Sequence, residues 1–341
     1  MPSYQILQFE ALAKTVKNNM RIAFVGKGGS GKSTLCASFA SYVSSQTTKP
    51  VVVFDADLNI HAPELLGFIT IPFDKHISAP GPSDEIKKWL IGNNNIKNPG
   101  AFRKSTPPTR KSNLVRLESI QNTPLGAYGL HKCNLSVFAV GTYQEEDIGA
   151  SCYHNNLAIL ESILSHTDDS HGYVVTDMVA GVDSFAGTLH AQFDLTCLIV
   201  EPTMRSIEVY TKYIDLGSEA GVAESVRAIG NKIRNQKDID FIKNHIPSEK
   251  IIGFFTDDEH IRDIDQNSAL LSVDKLNPDN QNLLKTILEL VDSLPDNRNA
   301  RLKKIWGLHT KYVSQGFIKE RFGDLTEQID TEFIFDYGDK N

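Results

Sequence analysis

Short, almost wholly apolar runs recur along the chain, each giving way to polar residues and then to a stretch with helical spacing. The runs are Arg21–Val25, Pro50–Asp55, Asn134–Val140, Gly172–Asp177, Leu195–Val200, Ser225–Gly230 and Lys250–Phe255. Continuous apolar runs, rather than alternating ones, suit parallel strands buried on both faces. Between them, Leu157, Leu160, Ile163 and Leu164 share one helix face, and residues 280–294 form a closing helix. This alternation predicts an α/β fold: a doubly wound, mainly parallel sheet flanked by helices.

Three segments break the rhythm. Before the first strand, Ile6, Leu7, Phe9, Leu12, Ala13 and Val16 give a helical stripe, so residues 1–20 read as an N-terminal helical extension. Residues 69–133 are rich in proline, and only Asp84 to Ile91 looks helical. They read as an irregular insertion in a domain spanning 21–296. Its Lys104, Arg110, Lys111 and Arg116 read as a solvated basic face. Residues 297–341 form a C-terminal extension, basic over 298–321 and acidic from 324 onwards. A basic amphipathic segment can lie on an anionic membrane, but the acidic end would repel such lipid. The favoured reading is a helix packed on its own domain through Leu302, Ile305, Trp306, Leu308 and Phe317.

Composition narrows the setting without naming a function. The chain has 341 residues, 40% hydrophobic and 23% charged, with a net charge of −7. A whole-surface nucleic-acid binder is disfavoured by that charge. No apolar run reaches the length of a membrane span, and the N-terminus lacks a charged-then-apolar signal design. The 4 cysteines are scattered and propose no disulfide framework; Cys36 and Cys197 fall in core elements. A reducing cytoplasm is the expected setting.

The chemistry concentrates in Gly26-Lys27-Gly28-Gly29-Ser30-Gly31-Lys32-Ser33-Thr34, between the first strand and its helix. It fits the phosphate-loop pattern G-x-x-x-x-G-K-[ST]. Glycines let successive N–H groups of Gly28, Gly29, Ser30, Gly31, Lys32, Ser33 and Thr34 turn towards phosphate, and the helix N-terminus adds its positive dipole end. Lys32 would reach the β- and γ-phosphates, and the Ser33 hydroxyl would ligate Mg²⁺. The strand ending at Asp177 reads as a Walker B strand, with Asp177 holding Mg²⁺ through water. Gly181 would let the following segment sense the γ-phosphate.

Lys27, just after the first glycine, makes the loop K-G-G-x-G-K-[ST]-[ST]. This resembles the deviant phosphate-loop ATPases: the nitrogenase iron protein, arsenite-pump and Min-type ATPases, partition ATPases, and the nickel-inserting accessory ATPases of carbon monoxide dehydrogenase. The resemblance implies that Lys27 reaches across a homodimer to the partner's nucleotide. It makes Asp55-Ala56-Asp57 the switch I region, with Asp57 orienting the attacking water and Asp55 supporting the Mg²⁺ shell. Residues 61–67 resemble the short helix that follows. Three further segments resemble the nickel-inserting branch: Asp177-Met178-x-Ala180-Gly181, Val200-Glu201-Pro202-x-x-x-Ser206-Ile207-Glu208 and Asn231-Lys232-x-Arg234-Asn235. There Asn231 would hydrogen-bond adenine.

Two departures stand out. Val179 occupies a position usually held by Glu in that branch, and the branch's Cys-x-Cys metal pair has become Cys152-Tyr153-His154. Cysteine and histidine both ligate Zn²⁺ or Ni²⁺, so two Cys-x-His pairs across a dimer axis would make a four-ligand site. A second pair, His131-x-Cys133, precedes the neighbouring strand.

The sequence therefore predicts a Mg²⁺-dependent ATP hydrolase whose ATP-driven dimerisation acts on a client metalloprotein, with Ni²⁺ or Zn²⁺ as a further ligand. A Min- or partition-like positioning ATPase, acting on membrane or DNA, is the alternative. A nucleotide-binding scaffold with little turnover ranks last, because both acids for hydrolysis are present.

Overall fold

The computed structural model describes residues 20–96, 98–142, 154–266 and 270–336. The expected N-terminal helix and the pair Cys152/His154 lie outside the described residues, except that the His154 backbone opens a helix.

The strands are β1 (Met20–Gly26), β2 (Val51–Ala56), β3 (Val115–Arg116), β4 (Leu130–Lys132), β5 (Leu135–Ala139), β6 (Thr167–Asp168), β7 (Tyr173–Met178), β8 (Leu195–Val200), β9 (Val226–Ile233) and β10 (Ile251–Thr256). Eight of them form one sheet in the order β10-β9-β8-β1-β7-β2-β5-β4, and β3 pairs with β6 separately. Every pairing in the large sheet is parallel except that of β4 with β5. The helices are α1 (Lys32–Gln46), α2 (Ala62–Leu65), α3 (Pro80–Ile91), α4 (His154–Ser165), α5 (Met204–Glu219), α6 (Gln236–His245), α7 (Glu259–Asp265), α8 (Pro278–Ser293), α9 (Arg298–Val313) and α10 (Gly316–Phe322).

Strand alternation distributes the core onto two faces. Ile22 and Phe24 of β1, with Val51 and Val53 of β2, pack against Leu35, Phe39 and Val43 of α1 and Leu284, Ile287 and Val291 of α8. Ala23 and Val25, with Val52 and Phe54, face the other way, towards Ile86 and Leu90 of α3, Leu160 and Leu164 of α4, and Ile207 of α5. Both layers exclude water from the central strands, which explains their unbroken hydrophobicity. Burying a side chain such as Phe39 or Leu35 contributes about 1.5–3 kcal/mol.

The insertion is more regular than its composition predicts. Helix α3 starts at Pro80, four residues before Asp84, and β4 adds an antiparallel edge. Pro80 and Pro82 fall in the first turn, where a helix has no acceptor for their missing N–H groups. The insertion also shares a core with the C-terminal extension: Ala101 packs with Val313, Ile318 and Leu325. Arg103 donates to the Tyr312 hydroxyl at 3.0 Å, and the Ser105 hydroxyl lies 3.0 Å from His309 Nδ1.

The extension folds onto its own domain, as expected for Leu302 and Ile305, but Phe317 does not. Ile318 takes the buried position and Phe317 is 64% exposed, because α10 starts at Gly316 with the neighbouring position facing inward. Two of the extension's basic residues are structural. Arg301 pairs with Asp169 and Asp194, and Arg298 with Asp168 and Asp296. Arg21 at the start of β1 joins Asp169 at 3.1 Å. Among the described residues no helix is long and apolar enough to cross a membrane.

Candidate nucleotide-binding site

The site residues, predicted and not, converge because each lies at or just beyond the carboxyl end of a strand of the large sheet. The phosphate loop follows β1, Asp57 follows β2, Asp177 lies in β7, Glu201 follows β8, and Asn231 and Lys232 lie in β9. The carboxyl ends of parallel strands are where open α/β sheets bind ligands. A cleft of about 1070 Å³ opens there, lined by Gly28, Lys32, Ser33, Asp57, Asn231 and Arg234 among others. A smaller hollow of about 420 Å³, with Pro50, Glu118 and Cys133 in its walls, lies at the opposite end of the strands.

Gly31 caps α1 with φ 89°, a left-handed conformation that costs a residue with a Cβ about 1 kcal/mol or more. A Cβ there would also stand 2.3 Å from the Asn231 amide nitrogen. That amide donates to the Ser30 carbonyl at 2.6 Å, while Asn231 Oδ1 accepts from the Lys232 N–H. Lys232, itself at φ 58°, donates through Nζ to the Gly29 carbonyl at 2.6 Å and to Glu201 at 2.6 Å. Two consecutive side chains thus hold two consecutive loop carbonyls. With its carbonyls turned outward, the loop can present N–H groups inward. Glu201 also lies 3.9 Å from Lys27 Nζ.

Sequence reasoning gave Glu201 and Lys232 no role. The only signal was their place in the Glu-Pro and Asn-Lys segments. Asn231, expected at the adenine, lines the cleft with its amide committed to the loop.

The acids form a graded set. Asp55 and Asp177 stand in register on β2 and β7, both fully buried. Asp55 accepts from the N–H groups of Asp57, His61 and Ala62. Burial pushes its carboxyl up to about 7 despite those donors. Asp177 is also raised well above the ordinary range, through burial and then repulsion from Asp55, against the pull of Ser33 and Lys32. Neither Asp177 oxygen has a hydrogen-bond partner of good geometry, and the buried Ser30 hydroxyl is likewise unpartnered. Two adjoining buried carboxylates with the Ser33 hydroxyl facing Asp177 are an oxygen donor set that fits Mg²⁺. Asp57 is more open: Lys32 Nζ lies 3.4 Å from its carboxylate. Gly181, at φ 83°, donates its N–H to the Gly26 carbonyl at 3.0 Å, joining the segment after β7 to the loop.

The expected transition-metal ligands fare differently. In the second candidate pair, His131 has both ring nitrogens engaged, by Ser136 Oγ and the Gly126 carbonyl, each at 2.8 Å. No group of three or more metal-ligating side chains occurs among the described residues. Cys36 and Cys197 are buried in the core.

Comparison with known proteins agrees with this geometry. Residues 22–329 match the CobQ/CobB/MinD/ParA nucleotide binding domain. The chain belongs to this family of phosphate-loop ATPases. Among curated relatives it is 26% identical over 264 residues to the carbon monoxide dehydrogenase accessory protein CooC of Rhodospirillum rubrum, covering 76% of this chain and 91% of that protein. An uncharacterized ATP-binding protein of Methanocaldococcus jannaschii is 26% identical over 71% of this chain and 87% of its own length. Among solved structures, a ParA family ATPase from Chlorobium tepidum superposes with a TM-score of 0.54 at 20% identity, covering 81% of this chain and 100% of the other. The septum site-determining protein MinD of Pyrococcus horikoshii, complexed with Mg-ADP, gives 0.53 at 15% identity, covering 82% and 98%. The two solved structures share the fold described above, a mainly parallel, helix-flanked sheet. The chain is thus an ATP-binding ATP hydrolase of the MinD/ParA type.

Proposed function

We propose that this ATPase serves metalloenzyme maturation, with ATP binding drawing two copies together and hydrolysis releasing them after a client metalloprotein has been acted on. The observation that carries the reading is the match over 91% of the length of a carbon monoxide dehydrogenase accessory protein. The Glu-Pro and Asn-Lys segments support the same branch.

In this reading the N–H groups of Gly28 to Thr34 and the Lys32 ammonium bind the phosphates. Ser33, Asp55 and Asp177 hold Mg²⁺, which neutralises charge developing on the transferring phosphoryl group. Asp57 holds the attacking water in line. Lys27, partly exposed beside Glu201, reaches the partner's nucleotide. Asn231 completes the base end of the cleft. Cys152 and His154 supply a Ni²⁺ or Zn²⁺ site shared by the dimer.

Size-exclusion chromatography with light scattering tests the dimer: Asp57→Ala should run as a dimer with Mg-ATP and as a monomer with ADP. Metal analysis of the dimer should give one Ni²⁺ or Zn²⁺ per two chains, lost in Cys152→Ala/His154→Ala. A monomer in both nucleotides, or equal metal affinity in both proteins, overturns the corresponding part. The alternative, a positioning ATPase on membrane or DNA, would show as ATP-dependent sedimentation with anionic vesicles or duplex DNA.

A further inference from the structure

The segment that follows Asp177 is held at several points, among them Ser184 and Phe185 against Tyr213, and two of them bear on the phosphate loop and on a buried carboxylate. Gly181 on the phosphate loop is the first. The second lies seven residues on, at a buried carboxylate. Glu161, two turns into α4, is only 2% exposed. One of its oxygens accepts from the Thr188 N–H at 2.6 Å and the Thr188 hydroxyl at 2.7 Å. The other lies 3.5 Å from Lys104 Nζ. That ammonium also donates to the Ala186 carbonyl at 3.2 Å and stands 5.9 Å from the centre of the Tyr312 ring. Between these bonds Gly187 passes so near the carboxylate that a Cβ would stand 2.3 Å and 2.5 Å from its two oxygens. Only glycine lets the backbone approach that closely.

Four separate stretches therefore meet at the Glu161–Lys104 ion pair. Lys104 comes from the insertion, Glu161 from α4, Ala186 to Thr188 from the segment after β7, and Tyr312 from the C-terminal helix. A carboxylate this deeply buried needs its compensating partners, and losing one leaves a charge poorly solvated. Burial raises the Glu161 carboxyl, while Lys104 and Thr188 oppose the rise.

We propose that Glu161 and Lys104 are positioning residues for ATP hydrolysis. Together they fix the far end of segment 177–191 and make its placement depend on the insertion and the C-terminal helix. The inference rests on reading that segment as the one that senses the γ-phosphate. Anything that moves the insertion or the extension, such as a docked client, would then reset the segment without touching the nucleotide. The pair acts on the placement of the segment, so it governs the chemical step rather than nucleotide affinity.

Steady-state ATPase assays, binding of a fluorescent ADP analogue and amide hydrogen exchange test this on the full chain. In Lys104→Met, kcat should fall by up to about a hundredfold, the scale expected when a reacting group is misplaced by an ångström, with ADP affinity unchanged and faster exchange over 182–190. Lys104→Arg should restore both. Glu161→Gln should lower kcat as well, and Lys104→Met/Glu161→Gln should be no worse than the poorer single variant, since the two act as one unit. If Glu161→Gln fails to fold, the Lys104 variants carry the test, because Lys104 lies nearer the surface. Wild-type kcat or wild-type exchange in folded Lys104→Met, or additive effects in the double variant, overturns the proposal. Asp177→Asn separates it from the underlying reading. If Asp177→Asn turns over normally, the reading of the segment and the proposal fall together. If Asp177→Asn is inactive while Lys104→Met is normal, the proposal alone falls.

Discussion

The Lys232 ammonium donates to the Gly29 carbonyl at 2.6 Å, tying the end of β9 to the phosphate loop 203 residues earlier. The bond restrains the loop before any phosphate arrives, so part of the ordering cost of binding is met in the free protein. Hydrogen bonds involving a charged group contribute about 1.5–3 kcal/mol. Lys232→Met should therefore weaken ADP and ATP binding by roughly ten- to a hundredfold. Isothermal titration calorimetry reads this directly, and wild-type affinity would exclude the restraint.

Asp57 is the acid nearest Lys32, and it is more exposed than Asp55 or Asp177. Asp57→Ala should lose turnover by about a hundredfold or more, the range for a missing positioned base, while binding ATP at least as tightly as wild type. Single-turnover hydrolysis beside equilibrium binding separates the two effects. Normal single-turnover rates would remove Asp57 from the mechanism.

Asp55 and Asp177 repel each other in the free protein, which Mg²⁺ should relieve. Asp177→Asn is expected to raise the melting temperature of nucleotide-free protein and to abolish the extra stabilisation that Mg²⁺ adds to ATP. Thermal unfolding with and without EDTA measures both. A variant less stable than wild type in EDTA, with a normal Mg²⁺ effect, would contradict this account.

His166 is fully buried, and burial lowers its imidazole from 6.5 to about 4. Between those values the unfolded chain holds a proton that the folded chain does not. Stability is thus full above about pH 6.5 and falls as pH drops towards 4, by about 3 kcal/mol for this group. His166→Gln should flatten that part of a urea-denaturation pH profile. An unchanged slope would show that the other histidines that burial holds low, His76, His190 and His309, account for it.

Arg301 lies between Asp169 and Asp194 with little exposure. Removing one partner of a buried ion pair costs about 3–5 kcal/mol. Arg301→Ala should lose stability on that scale in chemical denaturation, and a loss below about 1 kcal/mol would mean that water replaces the guanidinium.

The ATPase core was legible because its signals are local. The strand–glycine loop–helix order around Lys32 and the apolar runs ending near Asp57 and Asp177 can be read within a few residues of themselves. The parts that escaped depend on partners far along the chain. Lys104 reads as one more basic residue of a solvated loop; its buried partner Glu161 is 57 positions away and sits on a helix whose pattern reveals only its apolar face. Arg298 and Arg301 read as a basic tail, because nothing local announces the aspartates they neutralise. The choice between Phe317 and Ile318 turned on where a two-turn helix begins. Periodicity in so short a stretch leaves the phase undetermined.

The pairing of Arg301 with Asp169 and Asp194 also orders events during synthesis. Both aspartates leave the ribosome more than a hundred residues before the arginine that helps neutralise them. Arg21 is already available, bonded through its side chain to Asp169 and through its backbone to Asp194. A nascent chain can therefore build the central strands, but it carries excess buried negative charge until the final helices dock. A chain lacking residues from 298 onwards should therefore leave Asp169 and Asp194 short of one buried cation and be less stable than the chain that carries Arg301.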